Sequence, residues 1–398
     1  MDRRAFLSLA GATAGSIALP SLAIAQPKPL VYYSINAFSG NFAASGKYSD
    51  LGVRAAITGY GTRLGRAIEY KRIDTEGNPA IAVRKVQQAI SQDGARHFGG
   101  AALSSEALVI MKEVNKANGV YITYVGADEV TGKDCNRSAF RWSTPTFGAV
   151  NTVLRPLFQQ NPKWKKAYTI TGQYVFGEAL LRNSKAVMQD AKVELVGNSY
   201  HSLAEKEFSG YLGNAMASGA DVLVILNFGA NTLDLLRQAA SFGIKKRMAV
   251  AVVWFSGLDT FQALGADVTE DIYFGLQYWH GLDTPGNKTF LDVYRREFKE
   301  NPRFYSAADY QIATLMFDAI RKGGSEDPAA IIKALEGYTY AGLTGEEQVR
   351  PFDHQVIKNY FLARGKKKSA MKDADDFVDI LSSSKTASPK SASDCKMA

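Results

Sequence analysis

Short apolar runs alternate with longer segments of helical periodicity along the first third of the chain. The short runs are rich in β-branched and aromatic residues, which favours strands, whereas the longer segments repeat their apolar residues every three or four positions, which favours helices. This alternation predicts a parallel sheet with helices on both faces. The predicted strands are Leu30–Ile35, Ala67–Ile73, Ala95–Phe98 and Val120–Val125, and the predicted helices are Tyr48–Tyr60, Pro79–Gln92 and Ser105–Asn118.

The same alternation starts again after Arg141 and predicts a second parallel sheet. Two successive doubly wound units indicate an α/β protein built from two similar, Rossmann-like lobes. The predicted strands of this second unit are Lys166–Thr171, Val193–Tyr200, Asp221–Leu226 and Met248–Val253, and its predicted helices are Gly177–Gln189, Phe208–Ala217 and Asn231–Phe242.

Later segments complete both predicted lobes. Two helices, Asp309–Lys322 and Pro328–Glu336, and a strand at Tyr360–Ala363 follow the second unit. The sequence then becomes polar, which is typical of a loose terminus. Lobe 1 is therefore predicted at 27–145 plus about 280–350, lobe 2 at 146–279 plus about 351–365, and a polar tail at 366–398.

The amino terminus has the pattern of an export signal. Arg3 and Arg4 precede an apolar run to Leu22, and Ala23-Ile24-Ala25 has the small-residue spacing of a cleavage site. Paired arginines indicate the twin-arginine route, with general secretion as the alternative. A membrane anchor is disfavoured because the run is shorter than the ~20 residues of a span. We expect a signal peptide at 1–25, cleavage near Ala25–Gln26 and a periplasmic protein.

The chain has two cysteines, Cys135 and Cys395. In an exported protein two cysteines favour a disulfide, which here ties the tail back to the first lobe. A metal site is the alternative, but none of the four histidines has ligand spacing to a cysteine. We therefore predict a Cys135–Cys395 disulfide, no metal and no cofactor.

The net charge of +8 arises from charges scattered along the chain. The dense basic run Lys366–Lys368 is followed closely by acidic residues, which favours a solvated surface over nucleic-acid binding. No G-x-S-x-G turn or H-E-x-x-H helix is present in the sequence. We therefore predict that the protein is not an enzyme and does not bind nucleic acid.

Candidate binding residues follow the ends of predicted strands, where open α/β sheets bind ligands. Ser104 and Ser105 lie between a strand and a helix, where free amides and the helix dipole favour an anion; helix capping is the alternative role for a serine there. Tyr174, Trp254 and Tyr278 also lie just past strand ends. They either contact a ligand or only pack.

Several motifs, in order and spacing, resemble the leucine/isoleucine/valine-binding family of type I periplasmic solute-binding proteins. Ser39-Gly40 with Ser45-Gly46 resembles the family's first cleft loop, and Gly100–Ser105 its carboxylate loop. Phe140-Arg141 resembles the segment before the hinge, Tyr174–Gly177 a turn of lobe two, and Asp353-His354-Gln355 the turn before the last strand. The likeness covers essentially the whole mature chain.

The resemblance implies a type I periplasmic binding protein fold, in which two lobes joined by three hinge crossings close on a ligand. The closed form would dock on the permease of an ABC importer, and the protein would be a monomer. In this chain Ser104 and Ser105 would hold a carboxylate, and Gly126 and Ala127 would present backbone groups. The remaining implied contacts are Ser45, Tyr174, Phe228, Gly229 and Tyr278.

The chain departs from this family in one respect. Amino-acid binders of the family carry an acidic residue near the position of Val253–Trp254, where this chain has apolar and aromatic side chains. An unpaired buried ammonium costs several kcal/mol. Asp128 either supplies a counter-charge or caps a helix. An aromatic or hydrophobic carboxylate is the favoured ligand, with an amino acid as the alternative. Rival functions are a ligand-sensing domain of a signalling system and an exported hydrolase.

Overall fold

The computed structural model describes residues 28–397. The predicted signal peptide lies outside the described residues. The first sheet has five parallel strands in the order β2-β1-β3-β4-β5, as expected for strands linked by crossover helices. Its strands are β1 (Leu30–Asn36), β2 (Ile68–Asp74), β3 (His97–Gly100), β4 (Val120–Thr123) and β5 (Ala139–Arg141).

The second sheet has seven strands in the order β15-β14-β10-β9-β8-β6-β7, of which β14 and β15 are antiparallel to their neighbours. A third, antiparallel sheet of three short strands joins the late helices to the hinge. The strands of these two sheets are β6 (Lys166–Gly172), β7 (Glu194–His201), β8 (Val222–Leu226), β9 (Ala249–Phe255), β10 (Tyr273–Leu276), β11 (Thr339–Gly342), β12 (Gly345–Val349), β13 (Val356–Ile357), β14 (Tyr360–Gly365) and β15 (Val378–Ser384).

Helices cover both large sheets, and α10 and α11 return to pack against α1 of the first lobe. The buried residues of β8 and β9 are almost continuously apolar, as expected for strands covered on both faces. The helices are α1 (Ala43–Tyr60), α2 (Pro79–Asp93), α3 (Ser104–Lys116), α4 (Thr146–Gln160), α5 (Val175–Asp190), α6 (Ser209–Ala217), α7 (Ala230–Ser241), α8 (Leu258–Leu264), α9 (Ala266–Thr269), α10 (Pro285–Phe298), α11 (Phe304–Gly323) and α12 (Pro328–Leu335).

Two doubly wound α/β lobes confirm the predicted fold class. Within residues 28–397, three segments carry the chain between the two large sheets: 142–145, 277–284 and 358–359. They are bonded to one another, because Gln277 donates to the Thr144 carbonyl at 2.8 Å and the Lys358 ammonium donates to the Gln277 carbonyl at 2.8 Å. The crossings predicted near 145 and 280 fall within the first two segments, whereas the third, predicted near 350, comes before the segment at 358–359. The lobe boundaries themselves remain a prediction.

Part of the predicted polar tail is regular structure that the sequence analysis did not predict: Val378–Ser384 forms β15 at the edge of the second sheet. Its serines and charges face solvent, and the strand is held by backbone hydrogen bonds to β14, which a hydrophobic pattern does not reveal. The predicted disulfide is present: Cys135 and Cys395 are bonded, with their Cα atoms 5.5 Å apart. In the described residues no helix is both long enough and apolar enough to cross a membrane.

Candidate ligand-binding cleft

A small, largely aromatic chamber lies between the lobes, where loops at the carboxyl ends of both sheets meet. About 20 Å³ of it is open to the centre of a water molecule, enough for about one water. A larger ligand therefore requires the lobes or the side chains to move apart. Its lining comprises Ala102, Ser104, Tyr124, Val125, Gly126 and Phe304 from lobe 1, and Tyr174, Phe176, Phe228 and Trp254 from lobe 2.

Ser104 begins α3 and provides the chamber with a hydroxyl group. Its Oγ accepts a hydrogen bond from the Ala127 amide at 3.2 Å, so it also ties the α3 loop to the loop after β4. Neither serine is the N-cap: Leu103 occupies that position, and the buried Glu106 carboxylate reaches back to the Leu103 amide at 3.0 Å. Burial raises the pKa of Glu106. Capping therefore does not account for the two serines.

Arg141, at the end of β5, supports the loop after β4 from behind. Its guanidinium donates to the carbonyls of Gly126 and Ala127, and its Nε donates to Gln355 Oε1 at 2.6 Å. Thr131 accepts a further bond. The side chain is 1 % exposed, and burial lowers its pKa only to about 10, so it is a cation at neutral pH. Arg141 fixes the backbone that closes one side of the chamber.

Aromatic side chains of lobe 2 form the opposite wall. The Phe176 and Trp254 rings meet edge to face at 5.1 Å, and Phe228 lies 6.2 Å from Phe176, which are favourable aromatic geometries. Gly126 faces this wall so closely that a β-carbon there would lie 2.4 Å from the Phe176 ring. A side chain at position 126 would hold the lobes apart. Glycine is thus required for this closed contact.

The structure brings together some of the predicted binding residues and separates others. Ser104, Gly126, Tyr174, Phe228 and Trp254 line the chamber. Ser45 and Gly229 line a neighbouring cavity between the lobes. The remaining three predicted residues, Ser105, Ala127 and Tyr278, lie outside both cavities.

Hydrogen bonds explain why two of these residues, Ala127 and Tyr278, do not line either cavity. Both backbone groups of Ala127 are engaged, the amide by Ser104 and the carbonyl by Arg141. The buried Tyr278 hydroxyl donates to Asn287 Oδ1 at 2.7 Å and so packs the hinge against α10. Phe304, which does line the chamber, was not predicted, because it begins a helix and follows no strand.

Comparison with known proteins agrees with this architecture. A family described as periplasmic binding protein matches residues 34–370. The chain belongs to this family. Leu/Ile/Val-binding protein homolog 4 of Brucella abortus is 24% identical over 372 residues, which cover 89% of this chain and 88% of that protein. The resemblance to the leucine/isoleucine/valine-binding proteins is thereby confirmed.

Solved structures share the fold of this periplasmic binding protein. One is described as an amino acid ABC transporter substrate-binding protein from Pseudomonas fluorescens Pf-5; it is 52% identical, has a TM-score of 0.90, and the match covers 93% of this chain and 99% of that one. A solute binding protein of an ABC transporter from R. palustris, in complex with benzoate, is 19% identical with a TM-score of 0.82, covering 93% and 100%. At that identity the second likeness shows the fold alone.

Asp128 of this periplasmic binding protein joins the lobes outside the chamber. Its Oδ1 accepts from the Phe147 amide in the first turn of α4 at 2.9 Å. Its Oδ2 accepts from Asn183 at 2.6 Å and from Arg182 at 3.2 Å, both on α5. These bonds are those of a cap on the first turn of α4 and of a contact between the lobes. They are not those of a counter-charge for a ligand in the chamber. Its charge is already engaged, and it is not part of the chamber lining.

A fully buried acid lies behind the chamber on the lobe 1 side. Asp309 of α11 accepts from Asn36 at 3.5 Å, and Asn36 in turn accepts from the Tyr124 hydroxyl at 2.5 Å. The other carboxylate oxygen, Oδ1, has no hydrogen-bond partner among the described residues. Burial is the main cause that raises the pKa of Asp309 to about 7; the nearby charge of Asp50 contributes to this rise, and neighbouring hydrogen-bond donors oppose it. Tyr124 is thus positioned in the chamber by an acid that is partly protonated at neutral pH.

This raised pKa predicts a pH-dependent contribution to stability. The folded state binds the Asp309 proton more tightly than the unfolded state, whose pKa is near 3.9. The contribution is therefore fully present below about pH 4 and is lost as the pH rises through about 7. The wild type loses this contribution as the pH rises, whereas Asp309→Asn does not. We therefore expect the free energy of unfolding of Asp309→Asn, relative to that of the wild type, to increase between about pH 4 and about pH 7. Urea unfolding of both proteins at several pH values measures this, and a constant difference would contradict it.

Proposed function

We propose that this protein is the substrate-binding component of an ABC importer. It captures a small carboxylate with a hydrophobic or aromatic body between its lobes and delivers it to a membrane permease. The observation that carries the proposal is the chamber itself: aromatic side chains from both lobes surround the Ser104 hydroxyl at the start of a helix. The 52% identical protein described as an amino acid ABC transporter substrate-binding protein supports the same class.

Export to the periplasm, removal of residues 1–25 and a monomeric state are part of this proposal. They follow from the sequence patterns and from the family. Binding and release, rather than catalysis, is the expected activity, because the chamber is lined by aromatic rings, small apolar side chains, backbone and the hydroxyl groups of Ser104, Tyr124 and Tyr174. Burial raises the pKa of both tyrosines, so their hydroxyl groups are neutral. None of these lining groups is a general base or an activated nucleophile.

Lobe closure supplies the coupling between ligand and transport. The chamber wall is complete only when Tyr124 and Phe304 of lobe 1 face Phe176 and Trp254 of lobe 2. A ligand that contacts both walls stabilises the closed form over the open one. The equilibrium between the two forms shifts by the free energy of the contacts that the ligand makes only in the closed form. The permease then has a ligand-dependent shape to recognise.

The carboxylate is proposed to bind at the amino end of α3. The first-turn amides carry partial positive charge, and the Ser104 hydroxyl can donate once its oxygen turns toward the ligand. The aromatic wall then selects the body of the ligand through its apolar area and ring geometry. Phe228 and Trp254, with the edge of Phe176, are the residues expected to contact that body.

Substituting Ser104 by alanine tests the proposed carboxylate contact. A hydrogen bond to a charged group contributes about 1.5–3 kcal/mol, so we expect affinity for a bound acid to fall about 10–100-fold. Ser105→Ala is the matched control, because Ser105 is the adjacent serine and lies outside the chamber. Calorimetry with ligands found in a thermal-shift panel of aryl acids and amino acids provides the measurement.

Two outcomes would contradict this proposal. Equal effects of the two alanine substitutions would remove Ser104 from the binding site. A panel in which no carboxylate binds, together with turnover of a substrate by the purified protein, would overturn the transport function. A preference for leucine-like ligands would overturn the aromatic body of the ligand, but not the class of protein.

A further inference from the structure

A third cavity, here called the lobe 1 cavity, lies between helices α1, α10 and α11 and strand β11. About 350 Å³ of it is open to the centre of a water molecule, which falls within the range of about 300–1,000 Å³ that is usual for small-molecule sites. Its lining residues differ from those of the aromatic chamber and of the neighbouring interlobe cavity. The side chains that define it are Tyr60, Arg63, Tyr310, Gln311, Tyr338 and Tyr340.

Three tyrosine rings of this cavity are held in place by their own hydroxyl groups. Tyr60 donates to Asp318 Oδ1 at 2.5 Å, and Tyr338 donates to Asp318 Oδ2 at 3.3 Å. Tyr340 donates to the buried carboxylate of Glu347 at 2.8 Å, and its ring lies 5.3 Å from that of Tyr338. These bonds fix the rings before a ligand arrives, so little ordering is left to oppose the binding of a further ring.

Asp318, the acidic side chain in the lining, is already neutralised. Its carboxylate pairs with Arg321 at 3.2 Å in addition to accepting from the Tyr60 and Tyr338 hydroxyls. The ammonium group of Lys322 lies 3.5 Å above the centre of the Tyr338 ring and adds positive charge nearby. The electrostatic balance of the cavity therefore favours an anion over a cation.

Arg63 supplies a cation at the edge of the cavity. It follows α1 in a 3-10 turn, its side chain is exposed, and its guanidinium lies 5.6 Å from the centre of the Tyr60 ring. In the part of the chain that the structure describes, it forms no ion pair. A guanidinium can bind both oxygens of a carboxylate at once, which makes this group suited to an organic acid.

Tyr310 provides a hydroxyl group deeper in the cavity. The side chain is 8 % exposed, and its hydroxyl has no hydrogen-bond partner among the described residues. Burial raises the pKa of Tyr310 to about 12, although the charge of Arg63 opposes the rise, so the hydroxyl keeps its proton at neutral pH. Gln311 beside it donates one of its two amide protons to Thr314 at 3.3 Å. A nearly buried hydroxyl without a partner costs free energy, which a ligand oxygen would recover.

We propose that the lobe 1 cavity is a second binding site, for a small aromatic carboxylate. The carboxylate binds to the Arg63 guanidinium and the Tyr310 hydroxyl, and the ring of the ligand packs among Tyr60, Tyr338 and Tyr340. A cation and a free donor select the anion, and the fixed tyrosine rings select an aromatic body. The site is independent of the interlobe cleft, because it uses other residues and needs no closure of the lobes.

Photo-crosslinking tests this site at the level of peptides. The probe is 4-benzoylbenzoate, whose excited ketone inserts into nearby C–H bonds, and the matched probe without charge is 4-benzoylbenzamide. We expect the acid to label peptides within 285–293, 310–318 and 338–343 about fivefold more than the amide does, as measured by mass spectrometry. An excess of 3-phenylpropanoate, which has no photoreactive ketone, should suppress this labelling.

Two substitutions assign the contacts. Arg63→Ala is expected to lower labelling of these peptides by the acid about fivefold and to leave labelling by the amide unchanged, because only the acid carries a charge. Tyr310→Phe keeps the ring but removes the free hydroxyl, and should lower labelling by the acid about threefold. Arg54→Ala is the matched control: this exposed arginine of α1 pairs with Glu297 at 3.5 Å and lies outside the cavity lining, so no change is expected.

The position of the labels separates this inference from the proposed function. Labels confined to the aromatic chamber, equal labelling by acid and amide, labelling that 3-phenylpropanoate does not suppress, or an Arg63→Ala variant that matches the wild type would each overturn the lobe 1 site and leave the transport proposal standing. Labels at the lobe 1 cavity that fall in Arg63→Ala but not in Arg54→Ala support it. Failure of every acid to bind in the chamber would contradict the proposed function and not this site.

Discussion

Replacing Cys395 by serine is expected to lower the free energy of unfolding by up to about 5 kcal/mol. The disulfide joins residues separated by 260 positions, and closing so long a loop restricts the unfolded chain strongly in the chain-entropy model. Urea unfolding of the oxidised wild type and the variant measures the change. Cys135→Ser and the double variant should lose the same amount, because each removes the same bond.

The same disulfide also attaches the carboxyl-terminal segment to the first lobe. After β15 the chain leaves the second sheet, and its Ser388 carbonyl accepts a hydrogen bond from Arg350 at 2.7 Å. Cys395 then reaches Cys135 of the first lobe. This terminal segment is a fourth connection between the lobes, beside the three hinge segments. Reduction should therefore raise hydrogen exchange in residues 385–397 before the rest unfolds. An unchanged unfolding midpoint in Cys395→Ser would show that the bond does not stabilise the protein.

The alternation of strand and helix patterns was sufficient to predict both lobes. Strand β8, predicted at Asp221–Leu226, is observed at Val222–Leu226, because a strand buried on both faces is a continuous apolar run. The predicted helix Pro79–Gln92 ends one residue further along, where its Asn78 cap and Gly94 stop are encoded locally. Elements whose position depends on local chemistry can thus be located from one sequence.

The edge strand β15 and the neighbouring interlobe cavity lined by Ser45 and Gly229 could not be located in this way. β15 is held by hydrogen bonds to a neighbour in space, and its serines carry no period-2 hydrophobic signal. The second interlobe cavity exists only because Ser45 and Tyr305 of lobe 1 face Ser256 of lobe 2, far away in the sequence. Both features depend on distant contacts that a linear pattern does not contain.

The residues of the proposed site divide along the same lines. The sequence predicted that Ser104 and Tyr174 lie at the cleft, because strand ends converge in any open α/β sheet, and both line the chamber. Arg141 belongs to a motif noted in the sequence, yet its function follows only from the carbonyls that it meets. A buried arginine next to a hinge strand is a useful sign of such a supporting residue, because an unpaired guanidinium would be costly there.

Replacing Arg141 by methionine is the other change with a large expected effect. The variant keeps much of the volume but leaves Thr131, Gln355 and the carbonyls of Gly126 and Ala127 without this donor. Leaving one buried acceptor unpaired costs about 1–3 kcal/mol, and partial relaxation limits the total, so we expect a loss of about 3–5 kcal/mol. Urea unfolding measures this loss.

A looser loop after β4 should also weaken ligand binding in Arg141→Met, since Gly126 forms part of the chamber and Ala127 orients Ser104. Arg137→Met is the matched control: this arginine is four residues earlier, is largely exposed and pairs with Glu336 at 3.4 Å, a contact worth at most about 1 kcal/mol. Arg141→Lys keeps the charge but not the planar fork, so it should fall between the two. Arg141→Met could instead unfold at the wild-type midpoint and bind the same acids equally well. The loop after β4 would then not need Arg141, and the packing of Phe176 and Trp254 alone would organise the chamber.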